Sequence, residues 1–422
     1  MLRFTCIVLL IIQASGVPAV QPYYDIVVAT DGTGDYTTIT EAINALPVFN
    51  YERTVIFIRN GIYDEKIRIE QDNLTLLGEN RDSTIIRYSQ LRTGWDNNRD
   101  YIGPAVVNIH ADDIILQNLT IENTQPDVGP HAFAVYGTGT RTILLNCNTL
   151  SRGADTVALW NYKTGMYYHS NCCFQGSVDF VCPRGYCYIR DSRFYELKET
   201  AAIWHAGAAD RIQKFVICNS HFDGTKGFIL GRHHYDAQFY LVNCSFSENM
   251  ADVPIYRVLY EKEPEKNQPR IFGDRYYFYN CRRAGGNFEW FADNLQDADN
   301  SPGPEDITPV WTFNGQWDPE SKEEPYVKSF LIEDKSLILY FNEPLTIRGN
   351  LTLTTHTGKV LRFETGRGRD AVKFISKDNL TENDFNEPVI ISAGSIVVTE
   401  ASVYERMLNR EIDLNMAPPS TY

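Results

Sequence analysis

The chain has 422 residues, is 43% hydrophobic and 22% charged, and carries a formal net charge of -15. That length can hold one large domain and a smaller one, and the composition excludes a disordered chain. The acidic balance argues against nucleic-acid binding, which depends on a basic surface. Residues 1–20 read as a secretory signal: Arg3 supplies the positive start, Cys6 to Ile12 a short apolar core, and small residues follow. That run is too short to cross a bilayer, and no later stretch is a candidate. The expectation is an exported monomer, secreted or periplasmic, that is not an integral membrane protein.

Past the signal, Asp31-Gly32-Thr33-Gly34-Asp35-Tyr36 makes a turn, and Thr38 to Glu41 has capping-box spacing ahead of Ala42, Ile43 and Leu46. One short amphipathic helix is predicted there. Short apolar strands then recur, among them 55–58, 74–76, 105–109, 114–121, 133–136, 142–145, 157–159, 166–168, 186–189, 215–217 and 239–242. Polar pairs end many of them: Gln117-Asn118, Asn146-Cys147, Asn171-Cys172, Cys218-Asn219, Asn243-Cys244 and Asn280-Cys281. A coil-length repeat of strands without long helices predicts a solenoid, with corner residues that hydrogen-bond their counterparts on neighbouring coils. A right-handed parallel β-helix over residues 25–318 fits best, and an all-β sandwich would need hairpin turns that are scarce here.

Eight cysteines lie beyond the signal: Cys147, Cys172, Cys173, Cys182, Cys187, Cys218, Cys244 and Cys281. An even count in an exported chain permits disulfides, but their recurrence beside corner residues points to stacked buried thiols. No CxxC and no His/Cys grouping with zinc spacing occurs, so neither a metal nor a cofactor is expected. Residues 293–328 are rich in proline and acid and read as a tail strapped to the solenoid or a linker. Residues 329–415 change character to cysteine-free strands separated by turns, which predicts a separate small antiparallel β-sandwich.

Three charged residues stand in hydrophobic sequence: Asp155, Asp179 and Arg232. A carboxylate in an apolar run is usually paired or functional, because an unpaired buried charge is costly. A buried Asp–Arg pair plus an Asp capping a turn would also fit the pattern.

The ordered motifs Asp31 to Tyr36, Gly61-Ile62-Tyr63-Asp64-Glu65, Ile121-Glu122-Asn123-Thr124, Gly176-Ser177-Val178-Asp179-Phe180-Val181 and Leu230-Gly231-Arg232 resemble those of the pectin methylesterases. These are aspartyl carbohydrate esterases on a right-handed β-helix. The resemblance implies that Asp179 is the nucleophile, Asp155 the general acid/base, Arg232 the partner of Asp179, and methyl-esterified pectin the substrate. The chain departs from the family at three places. Ala154 and His131 replace the two active-site glutamines, and His233-His234 replaces the Pro-Trp after the arginine. The C-terminal segment resembles, loosely, the immunoglobulin-like modules appended to exported bacterial proteins.

Ester hydrolysis needs a nucleophile, an oxyanion donor and a proton for the leaving alkoxide. No Gly-x-Ser-x-Gly elbow is present. Arg232 would favour an ionised Asp179, while burial and the second carboxylate would raise Asp155 into the range of a general acid. His131 could supply an oxyanion donor in place of a glutamine amide. Trp160, Trp204 and His234 are candidate sugar-binding residues. His233 and His234, being adjacent on a strand, should point to opposite faces and not share a metal. The competing readings are a β-helix polysaccharide lyase and a non-catalytic carbohydrate-binding solenoid.

Overall fold

The structure, a computed structural model, describes residues 23–207, 210–267 and 269–416. The signal assigned to residues 1–20 lies outside the described residues. The chain opens with the strand Ile26–Val28 and the helix Ile39–Asn44. Thr38 accepts the Glu41 N–H and donates its hydroxyl to the Glu41 carboxylate, closing that helix start. Ile39, Ala42 and Ile43 turn inward and cap one end of the solenoid core.

Coils then stack into a right-handed parallel β-helix with three sheet faces. The first sheet has ten strands, running from Ile26–Val28 to Tyr276–Tyr279. The second has nine, from Gly61–Tyr63 to Arg282–Arg283. The third is in two pieces, Ile67–Ile69, Ala105–Ile109, Phe133–Gly137 and Val157–Leu159, then Ala201–His205, Ile229–His233 and Tyr256–Arg257. Single bridges through Val181 join the two pieces.

The corner between the first and second sheets is set by asparagine. Asn118, Asn146, Asn171, Asn219, Asn243 and Asn280 all take a left-handed conformation with φ between 49° and 55°, which Asn tolerates better than most residues. Their amides form ladders, Asn146 to Asn118 and Asn171 to Asn146 at 2.8 Å, and Asn280 to Asn243 at 2.8 Å. The apolar pattern predicts one strand over 114–121. Asn118 turns that segment instead, leaving Ile114–Gln117 on the first sheet and Thr120–Asn123 on the second.

The position after each corner asparagine faces the core. There the thiols of Cys147, Cys172, Cys244 and Cys281 donate to carbonyls of the preceding coil, at 3.2–3.4 Å. All eight cysteines of the described residues are free. Phenylalanines stack along the inside of the second sheet, Phe174 on Phe194 and Phe194 on Phe222, with centroids 5.1 and 4.2 Å apart.

Residues 291–317 strap the outer face of the first sheet. Leu295, Ile307, Phe313 and Trp317 pack on Tyr168, Tyr188, Val216 and Tyr240. Beyond them lies a six-stranded antiparallel sheet with its own core of Leu339, Phe341, Leu353, Val372, Phe374 and Ile396. Its first strand, Val327–Glu333, begins inside the stretch read as linker. Its longest is Ser336–Thr354, over which the apolar pattern predicts two strands. Irregular registers bend it, so that its start pairs with Arg369–Ser376 and its end with Val389–Val398. The buried Arg53 ties this sheet to the solenoid, donating to the Thr399 carbonyl at 3.0 Å while its own N–H donates to the Thr346 hydroxyl at 2.8 Å.

Candidate active site

The site forms on the outer face of the third sheet, where its regular pairing breaks. Val178 and Asp179 take φ of 50° and 57°, and Asp155, one coil earlier, takes 56°. Left-handed backbone is strained for a β-branched valine and tolerable for aspartate. The Asp179 N–H donates to the Ala201 carbonyl at 2.7 Å, and the Asp155 N–H to the Val178 carbonyl at 3.3 Å. The bridges Val157 to Val181 and Trp160 to Arg184 share one offset of 24 residues. Asp155 and Asp179 have the same offset, so they occupy equivalent places on adjacent coils.

Arg232 grips Asp179 with two nitrogens, Nε at 2.8 Å from Oδ1 and Nη2 at 2.8 Å from Oδ2. Burial pushes the Asp179 carboxyl up, and Arg232 opposes that rise. Among the described residues no arginine or lysine forms an ion pair with Asp155; its ion-pair contact is His131. Burial first, and the Asp179 charge second, push Asp155 up to about 7; the Cys182 thiol, Arg92 and Arg184 pull the other way. The two carboxyls therefore differ: Asp179 lies against a cation that favours its ionised form, and Asp155, at about 7, is the one that still holds a proton in a substantial fraction of molecules near neutral pH.

His131 sits at the mouth, its side chain half exposed, with Nε2 3.4 Å from Asp155 Oδ2. Its ring meets Phe133 edge-on at 6.4 Å. Burial and the nearby Arg92 push its pKa below the usual imidazole value, which favours the neutral ring. Trp160 donates its indole N–H to the Cys182 carbonyl at 3.0 Å. Trp204 is only 7% exposed and donates to His234 Nδ1 at 2.7 Å. That burial corrects the expectation that Trp204 offers a free face to a sugar: it forms floor, with Phe133, Cys182 and Ala206. His234 stacks on Tyr260, centroids 4.7 Å apart. His233 turns inward onto Tyr276 and Phe239, so the adjacent histidines do face opposite ways.

Sequence reasoning missed three residues here. Arg92 lies on the helix Arg92–Asn97, which no periodicity announced, and sits over Phe133 and Trp160 at 5.8 and 5.7 Å. Arg184 lies over Trp160 at 4.1 Å and Trp204 at 5.6 Å; a basic residue five positions past Asp179 was the available signal. Glu196 is fully buried behind the strained turn. Its Oε1 accepts the Lys198 N–H and the Thr200 hydroxyl, and that hydroxyl in turn accepts the Val178 N–H at 3.3 Å.

Burial pushes Glu196 up to about 9. An acid whose folded pKa lies above its unfolded value of about 4.3 costs no stability below the lower value, and stability is lost as pH climbs toward the upper one. Glu196→Gln keeps the shape of the neutral acid and removes the titration. The variant's melting temperature should therefore exceed the wild type's at pH 8, and the gap should close toward pH 4. A gap independent of pH would refute a protonated Glu196.

The coiled domain is thus a right-handed parallel β-helix with two buried aspartates on adjacent coils, one of them clamped by an arginine. Residues 25–226 match the pectinesterase family model. Among curated proteins the chain is 35% identical over 173 residues to the probable pectinesterase/pectinesterase inhibitor 19 of Arabidopsis thaliana, covering 39% of this chain and 30% of that protein. It is 32% identical over 172 residues to probable pectinesterase 56 of the same plant, covering 39% of this chain and 57% of that one. The matched stretch thus spans about a third to somewhat over half of these relatives. Among solved structures, the pectin methylesterase PemA of Erwinia chrysanthemi aligns over 71% of this chain and 99% of its own, with a TM-score of 0.56 and 21% identity. A pectin methylesterase in complex with a hexasaccharide aligns over the same shares with a TM-score of 0.57 and 20% identity, and the carrot enzyme over 69% and 94% with 0.53 and 22%. These likenesses are of fold.

Proposed function

We propose that the protein is an exported pectin methylesterase that converts galacturonate methyl esters of pectin to free carboxylates and methanol. The observation that carries this reading is the division of roles between Asp179, gripped by Arg232, and Asp155, raised to about 7. Asp179 attacks the ester carbonyl carbon, the tetrahedral intermediate collapses to an acyl-enzyme, and Asp155 gives its proton to the departing methoxide. Asp155 then takes a proton from water, which attacks the acyl carbon and restores Asp179. The leader-like residues 1–20 support export, and a monomer suffices for this chemistry because both aspartates and Arg232 come from one chain. Among the described residues no helix is long and apolar enough to cross a membrane.

His131 is the proposed oxyanion donor, supported by its place beside Asp155 and its depressed pKa. Loss of one such donor typically costs about 10²–10³ in rate. His131→Ala should lose that much methanol release, and His131→Gln should recover part of it. His131→Gln should also remove any acid-side dependence arising from the ring, which lies below the ordinary imidazole pKa of about 6.5. Wild-type turnover by His131→Ala would end this assignment.

The test of the whole reading is an assay of pectin for methanol and for unsaturated chain ends, with and without a chelator. Methanol in both conditions supports an esterase. Unsaturated ends that vanish with the chelator would indicate a lyase, and neither product a binding protein.

A further inference from the structure

Arg184 is a cation without a counter-ion. Among the described residues it has no ion pair, whereas its neighbours Arg92 and Arg232 hold Asp96 and Asp179. Its Nε is buried and has no hydrogen-bond partner. A partly buried guanidinium in this state is costly unless something offsets it. Its guanidinium carbon lies 4.1 Å from the Trp160 ring centre and 5.6 Å from that of Trp204, and such cation–π contacts offset part of the cost. Asp155 feels Arg184, but at about 7 it carries only part of a negative charge near neutral pH.

The backbone places this group with care. Arg184 pairs across coils with Trp160, in the same register that aligns Asp179 with Asp155. It therefore stands five residues past Asp179, as Trp160 stands five past Asp155, on one outward face with Cys182 between. Pro183 before it restricts the backbone, and the Arg184 N–H is tied to the Leu159 carbonyl at 2.8 Å. A group held so, within about 17 Å of the nucleophile along the strand, is placed to reach a sugar next to the one whose ester is attacked.

We infer that Arg184 is a specificity-determining residue that binds the free carboxylate of an unesterified uronate next to the scissile methyl ester. This rests on the proposed esterase reading and adds to it: the preferred substrate is a partly de-esterified galacturonan. The planar fork of a guanidinium matches a carboxylate through two parallel N–H donors, and its stacking on indole leaves those donors free at its edge. A methyl ester in the same place presents no charge and a weaker acceptor.

The experiment compares wild type, Arg184→Gln and Arg184→Lys on two substrates, fully methyl-esterified and half de-esterified oligogalacturonides, by methanol release. A hydrogen bond to a charged group contributes about 1.5–3 kcal/mol, or roughly 10- to 100-fold. Arg184→Gln should lose kcat/KM by that factor more on the half de-esterified substrate than on the esterified one, mostly through KM. Arg184→Lys should fall between, since it keeps the charge without the fork. Equal losses on both substrates, or no loss, would overturn the inference and leave Arg184 as a packing group or a tuner of Asp155. A second arm measures binding of trigalacturonate by tryptophan fluorescence, which needs no turnover. If the wild type releases no methanol, the esterase reading fails, and this arm alone decides Arg184. A tenfold or greater weakening in Arg184→Gln keeps the carboxylate site, and unchanged binding removes it.

Discussion

Asp179→Asn is expected to abolish methanol release from pectin while leaving the solenoid folded. An amide oxygen is a poor nucleophile and carries no charge, so no acyl-enzyme forms by the proposed route. Arg232 donates three hydrogen bonds to Asp179, and removing one partner of a buried pair commonly costs about 3–5 kcal/mol. Asparagine softens that cost. It offers one acceptor to the guanidinium, and it accepts the left-handed backbone of position 179 as readily as aspartate does. The circular dichroism spectrum should therefore match wild type, with a lowered melting temperature. Rates near wild type from a folded Asp179→Asn protein would rule out Asp179 as nucleophile and, with it, the proposed mechanism.

The parts of this molecule that repeat were legible in its sequence. A corner asparagine recurs because one backbone conformation recurs, and the cysteine after it recurs because the next side chain faces the core. Asp155, Asp179 and Arg232 could be singled out because charge in apolar sequence demands a partner. The structure supplies partners from coils 24 and 53 residues apart. What stayed hidden depends on neighbours that sequence spacing does not reveal. Trp204 and Trp160 look alike as isolated aromatics, yet His234 and the sheet floor bury the first, and Arg184 lies over the second. Glu196 reads as a surface acid by residue type alone, yet the alternation of Arg193–Glu196 puts it on the inward face with Phe194. The bend in Ser336–Thr354 was hidden for a similar reason. Its apolar pattern continues through both halves, and register shifts, which leave no mark on composition, redirect its pairing.

Asp155→Asn is expected to lower methanol release by about 10²–10⁴, the usual range for a general acid/base, and to change the pH profile in a way that identifies its role. In the wild type, proton donation to methoxide requires protonated Asp155. Its raised pKa of about 7, caused by burial and then by the Asp179 charge, puts the loss of that proton on the alkaline side. The acyl-forming step should therefore decline as pH rises through about 7. It should decline again in acid, where the Asp179 carboxylate takes up a proton. Asparagine cannot titrate, so the alkaline decline should disappear and only the acid one remain. An ester with a better leaving group, such as a trifluoroethyl galacturonate, needs little help from an acid and should restore the first step. It should then give one equivalent of alcohol as a burst and stall, because the variant has no base to activate the water that resolves the acyl-enzyme. A steady rate without a burst, or an alkaline decline that persists in Asp155→Asn, would assign the proton transfers to another group.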